Sequence, residues 1–331
     1  MKICIVGAGV VGLCTALEIQ NQFPNLNITI IADKFNEDTT SDGAAGLFLA
    51  FDHFVGPTEH ITTKWINHSY KYYDKLIKNE DCGIFRISGY SFSNISHNDC
   101  LYKCMKNDSV EYQFLNVDEL SQFNIKYKFG VKISTLGIPC RKFLPWCIEK
   151  FKKNDGHVIH KKIYNFDALE KEYDAIFNCS GMNAKFLCND NNIYPIRGQV
   201  MQVKSTWIKH FYKFDSNFII PCGYDDKITL GGTYDFGSFN TEVNEYITSS
   251  IIDKCSQFLP DLNNVSVIRN WVGLRPYRTV VRVELEPRNS AMLIHNYGHG
   301  GCGVTAAPGT SLHAVNLFRD FHLYRKNYSK L

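Results

Sequence analysis

The first 33 residues hold the feature that most restricts the fold. Lys2-Ile3-Cys4-Ile5-Val6 reads as a short buried strand, and Gly7-Ala8-Gly9-Val10-Val11-Gly12 follows at once. Val10, Leu13 and Leu17 are spaced three and four apart, which predicts a helix to about Phe23, before Pro24. Asn27-Ile28-Thr29-Ile30-Ile31-Ala32 predicts a second strand, closed by Asp33, 21 residues after Gly12. This order predicts a βαβ nucleotide-binding unit. Gly7 permits the tight turn, Gly9 lets backbone N–H groups approach a pyrophosphate, and Gly12 lets the helix pack on the sheet. The helix N-terminus favours phosphate charge, and Asp33 can accept hydrogen bonds from a ribose. The unit alone does not separate FAD from NAD.

Composition narrows the partners. The 331 residues carry 36 Lys and Arg against 33 Asp and Glu, a net charge of +3. So small an excess argues against a nucleic-acid or polybasic membrane binder and suits a small-molecule partner. No stretch approaches the roughly 20 apolar residues of a membrane span. The N-terminal apolar run is too short for a signal peptide, so the 12 cysteines are expected to be reduced. They show no CxxC spacing and no companion His pair, so no metal is expected.

Along the chain, Thr39-Thr40-Ser41-Asp42-Gly43-Ala44-Ala45-Gly46-Leu47 sets hydroxyls before small residues. Hydroxyls bind phosphate and small residues admit a flat ring, although an ordinary polar turn reads the same way. Helices are predicted over 63–78 and 140–153, and strands over 83–87 and 111–115. Residues 173–181 read as a buried strand ending in the small turn Cys179-Ser180-Gly181, which suits the ligand crevice of an open α/β sheet. Strands over 195–203, 218–221 and 227–233 lack helices between them and predict an antiparallel second domain.

Near the C-terminus, 273–284 holds three arginines. Period-2 alternation puts Val281 and Val283 on one face and Val280, Arg282 and Glu284 on the other. Arg282 can hold a carboxylate bidentately, or equally form a structural ion pair with Glu284 or Glu286. The strand 293–297 runs into Gly298-His299-Gly300-Gly301-Cys302-Gly303-Val304-Thr305, whose glycines imply close approach to something flat or anionic. A helix follows to about Tyr324, with Pro308 expected in its first turn. His299 reads better as a hydrogen-bonded loop histidine than as a base, since no partnered nucleophile accompanies it. Ser329-Lys330-Leu331 is a peroxisomal address when it is the free C-terminus.

Taken together, 7–12, Ala32-Asp33-Lys34-Phe35, 39–47, Asn178-Cys179-Ser180-Gly181, Arg197-Gly198-Gln199-Val200, 273–282 and 295–305 resemble the D-amino-acid oxidase and D-aspartate oxidase family across nearly the whole chain. The resemblance implies an α/β fold: a Rossmann-like FAD domain built from 1–53, 131–194 and 287–331, interleaved with a β-rich, mostly antiparallel substrate domain from 54–130 and 195–286. By resemblance, Gly7, Ala8, Gly9, Val10, Val11, Gly12, Asp33 and Lys34 hold the ADP half of FAD. Thr39, Thr40, Ser41, Gly46, Leu47 and Ser180 line its phosphate and flavin. Gly300, Gly301, Gly303, Val304 and Thr305 close on the ring. Arg282 is expected to bind the substrate α-carboxylate as the catalytic-site arginine, with Lys213, Phe218 and Gly301 around the substrate.

The implied activity is oxidation of a D-amino acid by hydride transfer from Cα to the flavin, without a side-chain base. The products are a 2-oxo acid, ammonia and H₂O₂, with O₂ as the second substrate. The implied location is the peroxisome matrix, through an import receptor that reads Ser329-Lys330-Leu331. The family's substrate-site tyrosines correspond to Phe218 and Phe214, and Tyr234 stands where acid-specific members carry a base, so neutral and acidic substrates remain open. A non-catalytic flavin binder, or a nicotinamide dehydrogenase using the N-terminal motif alone, are the alternatives.

Overall fold

A computed structural model describes residues 1–106, 110–123, 126–288 and 290–328. The terminal tripeptide lies outside them. One continuous sheet organises the chain. Its parallel end runs, in spatial order, His157–His160, Asn27–Ala32, Lys2–Val6, Ala175–Asn178 and Met292–His299. The three central strands are buried along most of their length, with long helices against one face and Phe166, Leu169 and Tyr173 against the other. The helix Val10–Gln22 packs against Cys140–Lys153 and against the long helix Gly303–Tyr328. Buried between them, the Thr15 and Ser311 hydroxyls share a 2.9 Å hydrogen bond.

Met292–His299 then pairs antiparallel with Val267–Pro287, and the character of the sheet changes. Tyr194–Lys204, Lys227–Gly231, Asn217–Pro221 and Phe211–Phe214 continue antiparallel. Phe85–Ser93 joins Phe211–Phe214 in parallel, and Phe129–Gly137 and Glu111–Phe114 complete that edge antiparallel. The α/β class with a β-rich, mostly antiparallel second part is therefore the observed architecture. A second apolar core, including Met201, Phe214, Ile219 and Phe258, underlies this part.

Two helices depart from what periodicity predicts. Glu59–Leu76 begins four residues before 63, because Thr58 caps it: its Oγ1 accepts from Ile61 N–H at 3.2 Å. Gly303–Tyr328 places Pro308 beyond its first turn. Proline lacks the N–H that would bond the carbonyl four residues back, that of Val304. The Tyr73 hydroxyl donates to that carbonyl instead, at 2.7 Å. A distant side chain thus satisfies the backbone group that proline leaves open. Among the described residues, no helix is long and apolar enough to cross a membrane.

Candidate active site

A cavity of about 970 Å³ runs past both glycine-rich segments. Gly7, Ala8, Gly9, Val10 and Val11 line it from the first turn, with Asp33 and Lys34 beyond the second strand. Thr39, Thr40, Ser41, Gly46 and Leu47 border it from the following loop, and Ser180 from the end of Ala175–Asn178. Gly300, Gly301, Gly303, Val304 and Thr305 border it from the C-terminal side. Lys213 and Phe218 reach it from the antiparallel sheet. Of the residues expected at the cofactor or substrate, Gly12, Phe214 and Arg282 are not in its lining, and Phe214 stacks instead on Phe258 in the second core.

Local geometry explains the first turn. Gly7 has φ +111°, and a Cβ there would sit 2.4 Å from the Cys179 carbonyl oxygen. A side chain at Gly12 would meet the Gly7 carbonyl oxygen at 2.0 Å, so Gly12 serves helix packing, as the spacing predicts. The first N–H of Val10–Gln22 is met by Ser41 Oγ at 3.0 Å, which ties the hydroxyl loop to the glycine turn. The neighbouring N–H groups at this helix start form an anion-favouring end beside the cavity.

Asp42 holds the hydroxyl loop in place. Its nearly inaccessible carboxylate pairs with Arg141 at 2.8 Å and Arg269 at 3.0 Å. Gly43 lies against the Trp271 ring, where a Cβ would come within 2.2 Å. An elongated cavity with a helix start, hydroxyls and a close-approach glycine turn at one end fits a dinucleotide. The second glycine segment on the same cavity fits a flat ring system. These residues therefore fit FAD.

The structure places Arg282 elsewhere. It shares a strand face with Glu284 and Glu286, as alternation predicts, and pairs with them at 2.5 and 3.3 Å. Its Nη1 also donates to the Tyr297 hydroxyl at 2.7 Å. The structural ion pair is thus the arrangement found: the guanidinium is already neutralised by its neighbours and does not border the cavity. Arg275, seven residues earlier on Val267–Pro287, does border it. Arg275 Nη1 donates to the Thr233 carbonyl at 2.9 Å, and its guanidinium carbon lies 4.5 Å over the Tyr234 ring. Burial pulls its pKa down.

Around Arg275 the cavity is aromatic and basic. His53 stacks on Phe51 with ring centroids 5.6 Å apart and an angle of 7°. It meets Tyr234 and Tyr277 at 6.3 and 6.1 Å. Its Nε2 is buried without a hydrogen-bond partner. Lys213 donates to the Asp99 carbonyl at 3.3 Å, and burial lowers its pKa. Phe218 lies against Gly231, where a Cβ would come within 2.4 Å of its ring. It forms an apolar wall without a hydroxyl.

His299 is enclosed, with Nε2 3.0 Å from the Thr310 hydroxyl, and burial lowers its pKa to about 3. That is the loop-histidine arrangement its sequence context favours. Sequence reasoning missed Arg275, His53, Asp42 and Trp271. A signal for Arg275 was present, since Arg282 alone has acids two and four residues away to neutralise it.

Residues 2–317 match the family model described as FAD dependent oxidoreductase. The chain is 33% identical to human D-aspartate oxidase over 327 residues, covering 96% of this chain and 95% of that protein. It is 32% identical to a D-amino acid oxidase of Dugesia ryukyuensis over 339 residues, covering 98% and 100%. Among solved structures, glycine oxidase from Geobacillus kaustophilus aligns with a TM-score of 0.79 at 16% identity, over 96% of this chain and 95% of that one.

Proposed function

The chain belongs to the family of FAD dependent oxidoreductases that includes D-aspartate and D-amino acid oxidases, and on that premise we propose that it oxidises acidic D-amino acids to 2-oxo acids. One observation carries the acidic preference. Two cations, Arg275 and Lys213, border the same cavity, and among the described residues neither forms an ion pair with a carboxylate. Each donates instead to a backbone carbonyl, Arg275 to that of Thr233 and Lys213 to that of Asp99. Asp52, Asp99 and Asp215 act on Lys213, and Asp235 on Arg275, without reaching ion-pair distance; a buried cation with no direct partner is costly, and one carboxylate for each removes that cost. A D-amino acid with an acidic side chain brings two. A neutral substrate leaves Lys213 unmatched, and the Phe218 wall offers no hydroxyl in its place.

Gly7, Ala8, Gly9, Val10 and Val11 would hold the pyrophosphate end of FAD, with Gly12 behind them and Asp33 and Lys34 at the ribose. Thr39, Thr40, Ser41, Gly46, Leu47 and Ser180 would line its middle. Gly300, Gly301, Gly303, Val304 and Thr305 would face the ring. When bound, FAD supplies the two-electron acceptor for the amino acid, and O₂ restores it with release of H₂O₂. Arg275 takes the α-carboxylate and thereby fixes where Cα lies; Lys213 takes the side-chain carboxylate.

The five parallel strands fall within 1–53, 131–194 and 287–331, which supports assigning those segments to the FAD unit. Phe129–Gly137 pairs with Phe85–Ser93, so it goes with 54–130 and 195–286 in the substrate unit. Where Leu331 is the free C-terminus, Ser329-Lys330-Leu331 would deliver the protein to the peroxisome matrix. A fluorescent fusion that stays punctate without the tripeptide would contradict that.

The test is a side-by-side assay of D-Asp, D-Glu, D-Ala and D-Met with the yellow holoprotein. A higher kcat/KM for an acidic substrate is expected, and a preference for D-Ala or D-Met overturns the assignment. Protein that stays colourless with added FAD would remove the cofactor itself. Flavin that no D-amino acid reduces anaerobically would leave a non-catalytic binder.

A further inference from the structure

We propose that His53 is the general base that takes the proton from the substrate's α-ammonium group before oxidation. The inference rests on the chain acting on D-amino acids, but not on which side chain it prefers. The chemistry sets the need. A D-amino acid arrives as a zwitterion, and its nitrogen must release a proton so that the lone pair can stabilise the electron-poor carbon left when Cα gives up its hydrogen with both electrons. A group that accepts that proton needs a free lone pair, a position beside the α-carboxylate site, and a path for the proton to water.

His53 meets each condition. Its Nε2 is buried and makes no hydrogen bond within the protein, so its lone pair is uncommitted. A Cβ placed on Gly301 would lie 3.5 Å from His53 Nε2 and 3.6 Å from Arg275 Cδ. The imidazole nitrogen and the stem of Arg275 therefore border one small space, which the absence of a side chain at 301 keeps open, with the guanidinium beyond it. The amino and carboxylate groups of an amino acid sit on one carbon. A carboxylate held by Arg275 accordingly brings the nitrogen toward Nε2. Stacking on Phe51 at 7° fixes the ring plane.

Burial keeps the imidazole neutral, and Asp52 gives its proton an outlet. Asp52 Oδ1 lies 3.5 Å from Nδ1, and its side chain is 85% exposed. Arg275 lies opposite, and the Tyr234 and Tyr277 rings flank the histidine. Burial is the largest influence and lowers the pKa; Asp52 opposes it and Arg275 adds to it. In the step itself one N–H bond of the ammonium breaks and one Nε2–H bond forms. No electrons leave the nitrogen, and the proton later passes to solvent on the Asp52 side.

The experiment compares the holoenzyme with His53→Gln, which keeps polarity but not basicity. For wild type, kcat/KM should fall only below the histidine pKa, under about 6.5. In the variant, kcat/KM near pH 7 should drop roughly 100-fold for acidic and neutral D-amino acids alike. It should recover as the pH rises through the pKa of the substrate's own amine, where the amine deprotonates unaided. Calorimetric binding of succinate, which has no amine, should be unchanged.

A variant profile parallel to wild type overturns the proposal, as does weakened succinate binding with a loss confined to acidic substrates. The latter would make His53 a side-chain clamp. If His53→Gln does not fold, His53→Ala with added imidazole tests the same role. Rescue that follows the neutral fraction of imidazole supports it, and absence of rescue ends it. A wild type that prefers D-Ala would defeat the acidic-substrate reading while leaving this test intact.

Discussion

The Tyr73 hydroxyl donates to the Val304 carbonyl across 231 positions of sequence, at 2.7 Å, and so completes a helix that Pro308 interrupts. Both ends of this bond are buried, and Val304 borders the cavity. Tyr73→Phe leaves a buried carbonyl without a donor. It should cost about 1–3 kcal/mol of stability in urea unfolding of the holoprotein. An unchanged midpoint would mean that another donor or a water substitutes.

Arg275 and Arg282 should separate cleanly by mutation. Arg275→Leu should weaken substrate binding by roughly 2–5 kcal/mol while FAD stays bound. Arg282→Leu should leave KM near wild type and instead lower thermal stability, because Glu284, Glu286 and the Tyr297 hydroxyl each lose one contact. Steady-state kinetics on both variants distinguish the two roles; the reverse pattern would restore Arg282 to the substrate.

Lys213→Met should reduce kcat/KM for D-Asp and D-Glu by an amount equivalent to roughly 2–5 kcal/mol while sparing D-Ala. The substrate-free protein should be as stable as wild type or more so, since an unmatched cation has been removed. An equal loss on all substrates would show that Lys213 supports the cavity rather than reads the side chain.

Asp42→Asn should act on the cofactor end. It leaves Arg141 and Arg269 without their shared carboxylate and loosens the loop that carries Thr39, Thr40 and Ser41. A loss of about 1–3 kcal/mol of stability is expected, since both arginines keep access to solvent and Arg141 keeps Glu37, with faster FAD release in a dilution assay. Retained FAD affinity would show that Ser41 and Val10 hold the loop by themselves.

Acid should destabilise the protein through its enclosed histidines. Burial lowers the pKa of His299 to about 3 and that of His295 to about 4, from 6.5. Between those values and 6.5 the unfolded chain binds protons that the folded chain refuses, so stability rises with pH. The contribution is complete above about 6.5 and is lost as pH falls toward 4 and then 3, by at most about 1.4 kcal/mol per pH unit for each histidine. His299→Gln should flatten part of that slope in urea titrations at about pH 5 and pH 7. A slope identical to wild type would place the acid sensitivity elsewhere.

The N-terminal unit is legible in the sequence because its constraints are local. A positive φ at Gly7 and a close approach at Gly12 are demands that a short stretch of sequence states by itself. Alternation likewise assigns Val281, Val283, Arg282 and Glu284 to the correct faces. It cannot say which face opens on the cavity. The strand pairing slips between Tyr277 and Arg282, where five residues on one strand span two on the other, from His299 to Tyr297. Such an irregularity depends on the partner strand and leaves no period to read. His53 lies in an irregular segment with no repeat at all, and its role emerges only beside Arg275 and Gly301, more than 220 positions away. Pro308 misleads for the same reason: the hydroxyl that makes it tolerable comes from Tyr73.

The sheet order has a consequence for biosynthesis. Lys2–Val6 finds its second neighbour in Ala175–Asn178, and that strand finds its own in Met292–His299. A nascent chain leaving the ribosome therefore carries an apolar first strand that Asn27–Ala32 covers on one edge only, its other edge open until Ala175–Asn178 has emerged, at a stage when adhesion to other unfinished chains is the main hazard. The cavity is complete only once the second glycine segment has arrived, so full enclosure of the flavin is a late event that marks a chain as finished.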